Sequence, residues 1–586
     1  MGNLRGWRGV LRRNIRAWSW RGIALGVACA TPLAAAAAQR DAQGHAWWRH
    51  AVFYEVYPRS FGDANNDGLG DLSGITQHLD YLRDLGVDAI WITPCYPSPQ
   101  VDFGYDVSDY ENIAPEYGSL ADFDRLQAEA KKRGIRIIFD FVVNHTSDKH
   151  PWFLESQASR TNAKRDWYVW RDGKGPTQPP NNWTSIFGGS AWQYDRATQQ
   201  YYYHAFYPEQ PDLNWRNPAV ETAMLDVTRW WYTRGVSGFR LDAVNTLFED
   251  PGLRDNPTVP GRNAYGDQNQ VRKYDDNLPE NHRVLRELRK VTDAHDAVLI
   301  GETWTDDVQQ LKAYYGANHD EVHMPMDLMF TGLGRVPGGH QRLDAPTFRR
   351  HVAAMEASGE WPVYVVSNHD IPRVATRFAD GRHDDAIAKA IGAFYLTLRG
   401  TPVMYYGEEL GMQNNDPQRK EDVRDPIGIK GWPTEKGRDG ERTPMQWTAA
   451  PDAGFNTGAK PWLPVPPSAR THNAQTEGQD SSSVLSLYKA VLKLRHENPA
   501  VREGGYVPLN EGDPNVMSYL RRYRDAAVLV VINMSGEDRT ATFDLSAQGL
   551  RGAAGRPIIQ SAASGDLSSV KLGPYGIFIA DVKTAP

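Results

Sequence analysis

Eight short runs rich in β-branched and aromatic residues, each separated by a longer stretch of helical periodicity, limit what this chain can fold into. They fall near residues 52–57, 88–93, 136–142, 238–242, 297–301, 321–327, 363–367 and 403–406. Strands that alternate with helices pair in parallel, because each helical crossover returns the chain to the same end of the sheet. Eight such units close into a (β/α)8 TIM barrel of the α/β class, with its binding face at the carboxyl ends of the strands.

The barrel accounts for 45–145 and 218–500. The connection between the third and fourth runs, 146–217, is too long for a simple loop and carries Trp152, Trp167, Trp170, Trp183, Trp192 and the run Tyr201, Tyr202 and Tyr203. Those aromatics are expected to be the core of a small inserted domain. From 501 to 586 the pattern turns to alternation and short apolar runs (VMSYLRRYR, AAVLVVINMS, YGIFIADV), which predicts a C-terminal antiparallel β-sandwich domain.

The N-terminal segment differs from the rest. Six arginines (5, 8, 12, 13, 16, 21) and no acid lead into GIALGVACATPLAAAAA, the pattern of a secretory signal peptide over 1–38, and therefore of an exported, periplasmic or secreted protein. Removing those six charges takes the formal net charge from −7 to −13. An acidic chain repels nucleic acid and anionic membranes, so a neutral small molecule is the expected partner. Cys29 lies within the leader, leaving Cys95 without a mate, so neither an intrachain disulfide nor a cysteine metal site is expected.

Acids stand at four strand ends: Asp140 in IIFDFVVNH, Asp242 in GFRLDAVN, Glu302 in VLIGETW and Asp370 in YVVSNHD. A buried carboxylate needs a partner or a task, and in a barrel these positions converge on one pocket. Several acids with His145, His369 and Arg240, and no phosphate-cradling glycine loop, suit glycoside chemistry, in which one carboxyl protonates the leaving oxygen and another attacks or shields the anomeric carbon. Arg240 and Asp242 are two apart on a strand and share a face, where the cation holds the carboxylate ionised.

The segments DFVVNH, GFRLDAVN, GETW and SNHD, in this order, resemble the four signature regions of the α-amylase family of glycoside hydrolases, and QPDLNW and GEELGM resemble two more. QPDLN is similar to the oligo-1,6-glucosidase and α-glucosidase branch. The resemblance implies Asp242 as nucleophile, Glu302 as general acid/base and Asp370 as the third acid, in a retaining mechanism through a covalent glucosyl-enzyme. It implies His145 and His369 as ligands of the first-subsite glucose, with Asp140 and Asn144 structural. GYDVSDY resembles the segment that closes the pocket in this branch, with Tyr105 stacking on the sugar and Asp106 binding its terminal hydroxyls, paired with Arg442 of GERTPMQW. An exo-acting enzyme for small oligosaccharides or α-glucosides follows.

DANNDGLGDL spaces Asp63, Asn65, Asp67, the Leu69 carbonyl and Asp71 like the oxygens of a Ca²⁺ loop, and relatives of this family hold a structural Ca²⁺ in a similar loop. The twelfth position is Gly74, so it is not an EF-hand. In this branch alanine directly after the nucleophile accompanies α-1,4 specificity and valine α-1,6; Ala243 therefore implies an α-1,4-preferring α-glucosidase. Two other readings share the architecture: a sucrose-acting isomerase or transglucosylase, and a non-catalytic amylase-fold transporter subunit, which needs a true membrane anchor and lacks the catalytic acids that this chain keeps.

Overall fold

The computed structural model describes residues 46–333, 342–550 and 554–583; the expected leader lies outside them. Six parallel strands follow in chain order: Phe53–Val56, Ala89–Ile92, Arg136–Val142, Gly238–Asp242, Val298–Gly301 and Met324–Pro325. The last barrel strand, Val403–Tyr405, pairs in parallel with the first. The expected seventh strand is reduced to single parallel bridges, Asp327 to Tyr364 and Val365 to Val403, and these close the ring. The Asp327 N–H donates to the Val363 carbonyl at 2.8 Å, and the Val403 N–H to the Tyr364 carbonyl at 3.1 Å. The sixth strand is shorter than its apolar run because Pro325 has no N–H to continue the ladder.

Side chains alternate between two cores, as the strand period of two requires. Phe53, Trp91, Ile138, Val298 and Ile300 fill the barrel interior. Tyr54, Ile90, Ile137 and Leu299 face the helices. The helices are locally encoded: Ser119 and Asp122 form a reciprocal cap on Leu120–Lys132, and Asn217 caps Pro218–Thr233 ahead of a proline in its first turn. No described helix is long and apolar enough to cross a membrane.

The inserted region holds a three-stranded antiparallel sheet, with Gln200–Tyr203 between Trp170–Arg171 and Trp192–Asp195. Trp183, Trp192, Tyr201 and Tyr203 make a core of its own, whereas Trp152, Trp167, Trp170 and Tyr202 pack with the main barrel core instead. Six antiparallel strands form the C-terminal unit. Its long last strand, Ser569–Lys583, buries Val570, Phe578 and Ala580 in a separate core, whereas Ile577 and Ile579 face the barrel.

Below the site, the GEELGM segment buries two adjacent acids. Glu409 accepts from the hydroxyls of Tyr54 and Tyr81 at 2.9 and 2.6 Å, and Glu408 from those of Tyr395 and Tyr488. Burial pushes the Glu408 carboxyl up to about 7, against the Tyr395 hydrogen bond and with the help of Glu409. The folded chain therefore binds a proton that the unfolded chain has released. This contribution is complete below the ordinary carboxylate range and declines between about pH 4.3 and pH 7. Glu408→Gln is expected to flatten that decline, so urea midpoints measured from acid to mildly alkaline pH should converge with those of the parent at the acid end and exceed them at the alkaline end.

Candidate active site

The acids continue the interior face of the barrel toward the carboxyl ends of the strands. Glu55 lies two residues after Phe53, Asp140 two after Ile138 and Glu302 two after Ile300, so the apolar filling gives way to a polar layer without change of face. Arg240 and Asp242 join that layer from the fourth strand.

Arg240 is fully buried and occupies its centre. Its Nη1 donates to Asp140 Oδ1 at 3.0 Å and to Asp242 Oδ1 at 2.7 Å, and its Nη2 lies 2.9 Å from Glu302 Oε1. The guanidinium sits 4.8 Å from the centre of the Trp91 ring, whose Nε1 also donates to Asp140. Burial raises the Asp242 carboxyl well above its ordinary range; Arg240 pulls it back, and Glu302 and Asp140 add to the rise. Asp140 is pushed to about 6 by burial, with Arg240 again opposing. A single cation thus shares its charge among three carboxyls. The Glu302 carboxyl is fixed at its other oxygen by the Ala243 N–H at 2.8 Å, a donor aimed inward because Ala243 takes the left-handed conformation, φ 47°.

A second cluster forms around Asp370. Arg438 Nη1 and Arg442 Nη2 each donate to its Oδ1 at 2.9 Å. Burial acts to raise this carboxyl, but the adjoining His369 ring and the two guanidinium groups outweigh it and hold it below the usual range. His369 stacks on Tyr105 with ring centres 5.2 Å apart, and its Nδ1 contacts Glu55 Oε1 at 2.6 Å. Burial takes His369 well below its ordinary pKa, with Asp370 opposing, and takes His145 to about 4. His145 Nε2 donates to the Tyr105 carbonyl at 3.0 Å.

Tyr105, His145, Asp242, Glu302 and Asp370 line one cavity of about 460 Å³, within the usual range for small-molecule sites. Arg240, His369 and Arg442 stand directly behind this lining and act on it through the acids they touch. The expected pair of Asp106 and Arg442 is not formed. Asp106 turns into its own loop and accepts from Ser98 Oγ and from the N–H groups of Val101 and Asp102, between 2.7 and 3.0 Å. Arg442 binds Asp370 and the His369 carbonyl instead. The acid that reaches the cavity is Asp102, and its cation is Arg438, at 2.6 Å. Gln210, in the QPDLNW segment, donates to its other oxygen at 3.1 Å. Asp102 and Arg438 were within reach of sequence reasoning, since each lies four residues before the residue chosen. A tight turn in which Gly104 takes φ 107° reverses which acid faces inward.

The Asp63 to Asp71 loop lies apart from the cavity. Asp63 accepts from the N–H groups of Asn66, Asp67 and Gly68, and Asp71 from those of Ala64, Asn65 and Gly74. Among the described residues no three acids or histidines converge as a metal cage. The donor set is nonetheless all oxygen, with Asn65 and Asp67 exposed and hydrogen-bonded to each other, and that chemistry suits a hard cation.

A closed parallel barrel whose carboxyl end gathers acids around one buried guanidinium, beside a cavity of small-molecule size, has the build of a glycoside hydrolase. A model of the α-amylase catalytic domain matches residues 55–504, and one of the maltogenic amylase C-terminal domain matches 506–579. The chain belongs to the α-amylase family of glycoside hydrolases. It is 44% identical over 549 residues to a probable α-glucosidase of Rhizobium meliloti (strain 1021), covering 91% of this chain and 97% of that one. An oligo-1,6-glucosidase of Parageobacillus thermoglucosidasius is 38% identical, with 85% and 92% covered. The crystal structure of an α-glucosyl transfer enzyme superposes with a TM-score of 0.82 at 41% identity, covering 91% of this chain and 99% of that chain.

Asp102 and Asp106 should separate on substitution. Asp102→Asn is expected to lower kcat/KM on a short α-glucoside by about tenfold or more with little change in melting, since a charged partner in the cavity is lost. Asp106→Asn should cost about 1–3 kcal/mol of stability by urea denaturation through its loop, with a smaller effect on kcat/KM.

Proposed function

We infer that the protein is an exo-acting, retaining α-glucosidase that releases α-glucose from the non-reducing ends of short α-glucosides. The observation that carries this reading is the sharing of Arg240 between Asp242 and Glu302, beside a cavity end occupied by Asp102, Arg438 and Asp370. Asp242 attacks the anomeric carbon, and its ionised form is favoured by the guanidinium at 2.7 Å. Glu302 gives its proton to the leaving oxygen and then takes one from water, which frees glucose with its configuration kept. Asp370, held ionised by two arginines, accepts hydrogen bonds from the ring hydroxyls. The Asp102–Arg438 pair grips the terminal glucose, leaving no passage for a longer chain at that end.

Ala243 lines the cavity, where a small side chain leaves room for the geometry of a 4-linked neighbour, and supports a preference for α-1,4 bonds. A methyl-scale difference is worth about 1–3 kcal/mol, which sets a preference and not an exclusion. The likeness to an α-glucosyl transfer enzyme supports transfer of glucose to a second sugar as a side reaction.

Maltose, isomaltose, sucrose, trehalose and soluble starch incubated in parallel test this reading. Fast release of α-glucose from maltose with starch nearly inert is expected, and Asp242→Asn should abolish it by at least about a thousandfold. Dominant isomaltose cleavage would overturn the linkage preference, and isomerised sucrose in excess of glucose would overturn the hydrolase.

The loop from Asp63 to Asp71 is proposed to hold one structural Ca²⁺ through Asp63, Asn65, Asp67, the Leu69 carbonyl and Asp71. Bound there, the ion would tie down the segment after the first barrel strand. Adding Ca²⁺ to chelator-treated protein should raise the melting temperature by about 2–4 °C, and Asp67→Ala should remove that gain. An unchanged melting curve in the parent would remove calcium from the account.

A further inference from the structure

Glu55 belongs to the polar layer, yet its one close ionisable contact among the described residues is not an arginine but the His369 ring. The carboxyl is fully buried. Its Oε1 lies 2.6 Å from His369 Nδ1 and accepts from the His369 backbone N–H at 3.3 Å, while Oε2 is buried with no hydrogen-bond partner among the described residues. An ionised carboxylate with an unsatisfied oxygen is costly in such a place, whereas the neutral acid has a proton of its own to give. Burial accordingly raises the Glu55 carboxyl well above its ordinary range, with Arg240 opposing and Asp370 and Asp140 adding to the rise.

The other ring nitrogen, Nε2, lies 2.7 Å from the Tyr105 hydroxyl and 3.2 Å from Asp370 Oδ2. Tyr105 has a single hydroxyl proton, and it goes to Asp140 Oδ2 at 2.9 Å. The phenolic oxygen therefore faces Nε2 as an acceptor, and so does Asp370, whose carboxyl is held below the usual range. A ring nitrogen between two acceptors carries the hydrogen. In the neutral ring that leaves Nδ1 bare, so the proton of the Nδ1 contact has to come from Glu55. Around the pair, Tyr57 stacks on the imidazole and Trp91 meets it edge-on, while Arg240, Arg438 and Arg442 surround it with positive charge and Tyr405 lies near Glu55. Among the described residues, none of these donates to Nδ1.

We propose that Glu55 is a positioning residue: it keeps one proton on its contact with Nδ1 and thereby fixes His369 in the form that points an N–H at Tyr105 and Asp370. This rests on the α-glucosidase reading, in which Asp370 accepts from the glucose hydroxyls. Glu55 does not touch the substrate. It acts through one N–H that serves both clusters of the site. That N–H faces the Asp370 oxygen closest to it, and it anchors the Tyr105 oxygen so that the phenolic proton is left for Asp140 and, through Asp140, for the Arg240 cluster. Loss of the shared proton leaves an ionised Glu55, which draws the ring hydrogen to Nδ1. Nε2 then meets the Asp370 carboxylate with a lone pair, and Tyr105 turns its proton away from Asp140.

The test is the pH profile of kcat/KM on α-glucosyl fluoride, whose leaving group needs little protonation, so that proton donation by Glu302 does not shape the result. The parent is compared with Glu55→Gln, whose amide donates to Nδ1 without titrating, and with Glu55→Met, which has no proton to give. The parent should lose activity on the alkaline side, whereas Glu55→Gln should stay within about threefold of the parent's best value and hold it to about pH 9. Glu55→Met should fall by about tenfold or more across the range, and if it does not fold, the Glu55→Gln profile decides alone. An alkaline fall absent from the parent or unchanged in Glu55→Gln, a Glu55→Gln as impaired as Glu55→Met, or a Glu55→Met within about twofold of the parent would each overturn the proposal and leave the proposed function standing. Failure of the parent protein to cleave any α-glucoside would defeat that function, and this inference with it.

Discussion

One guanidinium organises the site. Arg240 sits at the centre of the barrel's polar layer and touches acids from the third, fourth and fifth strands. Without it, three carboxyls in a water-poor space would repel one another and take up protons. With it, each acid has a partner, but a shared one, so none is as firmly held as in an isolated pair. Breaking such a cluster by removing one member strands charge in the interior, which makes it poor in stability terms and well suited to catalysis. Asp370, with two arginines of its own, is the exception and lies at the depressed end of the range.

The remainder of the fold arranges this layer. Apolar side chains fill the barrel interior to the level of Ile138 and Ile300, and the polar residues begin two positions further along the same strands. The inserted region supplies Phe187, Phe206 and Gln210 to the cavity or its backing, and the segment after the last strand supplies Arg438 and Arg442. The C-terminal sheet takes no part in the lining. It packs Ile577 and Ile579 against the barrel and keeps a separate core on its other face.

Much of this was legible in the chain. The eight runs, the acids at strand ends and the shared face of Arg240 and Asp242 follow from strand periodicity, a local property. The seventh strand was overestimated because an apolar run reports burial, while ladder formation depends on the neighbouring strands. The pairing of Asp106 with Arg442 was misassigned for a related reason. GYDVSDY and the segment before it offer three acids, Asp102, Asp106 and Asp109, and the GERTPMQW region two arginines, Arg438 and Arg442. Spacing alone does not say which of each faces inward.

By itself, then, the sequence determined the barrel, the strand-end carboxylates and their central cation, since each depends on residues a few positions apart whose geometry the strand imposes. Tertiary structure decided that Asp102 meets Arg438, that Arg442 turns to Asp370, and that Glu55 meets the His369 ring. Those pairings join segments between about seventy and more than three hundred residues apart, where small differences in loop conformation select the partner and no local pattern records the choice.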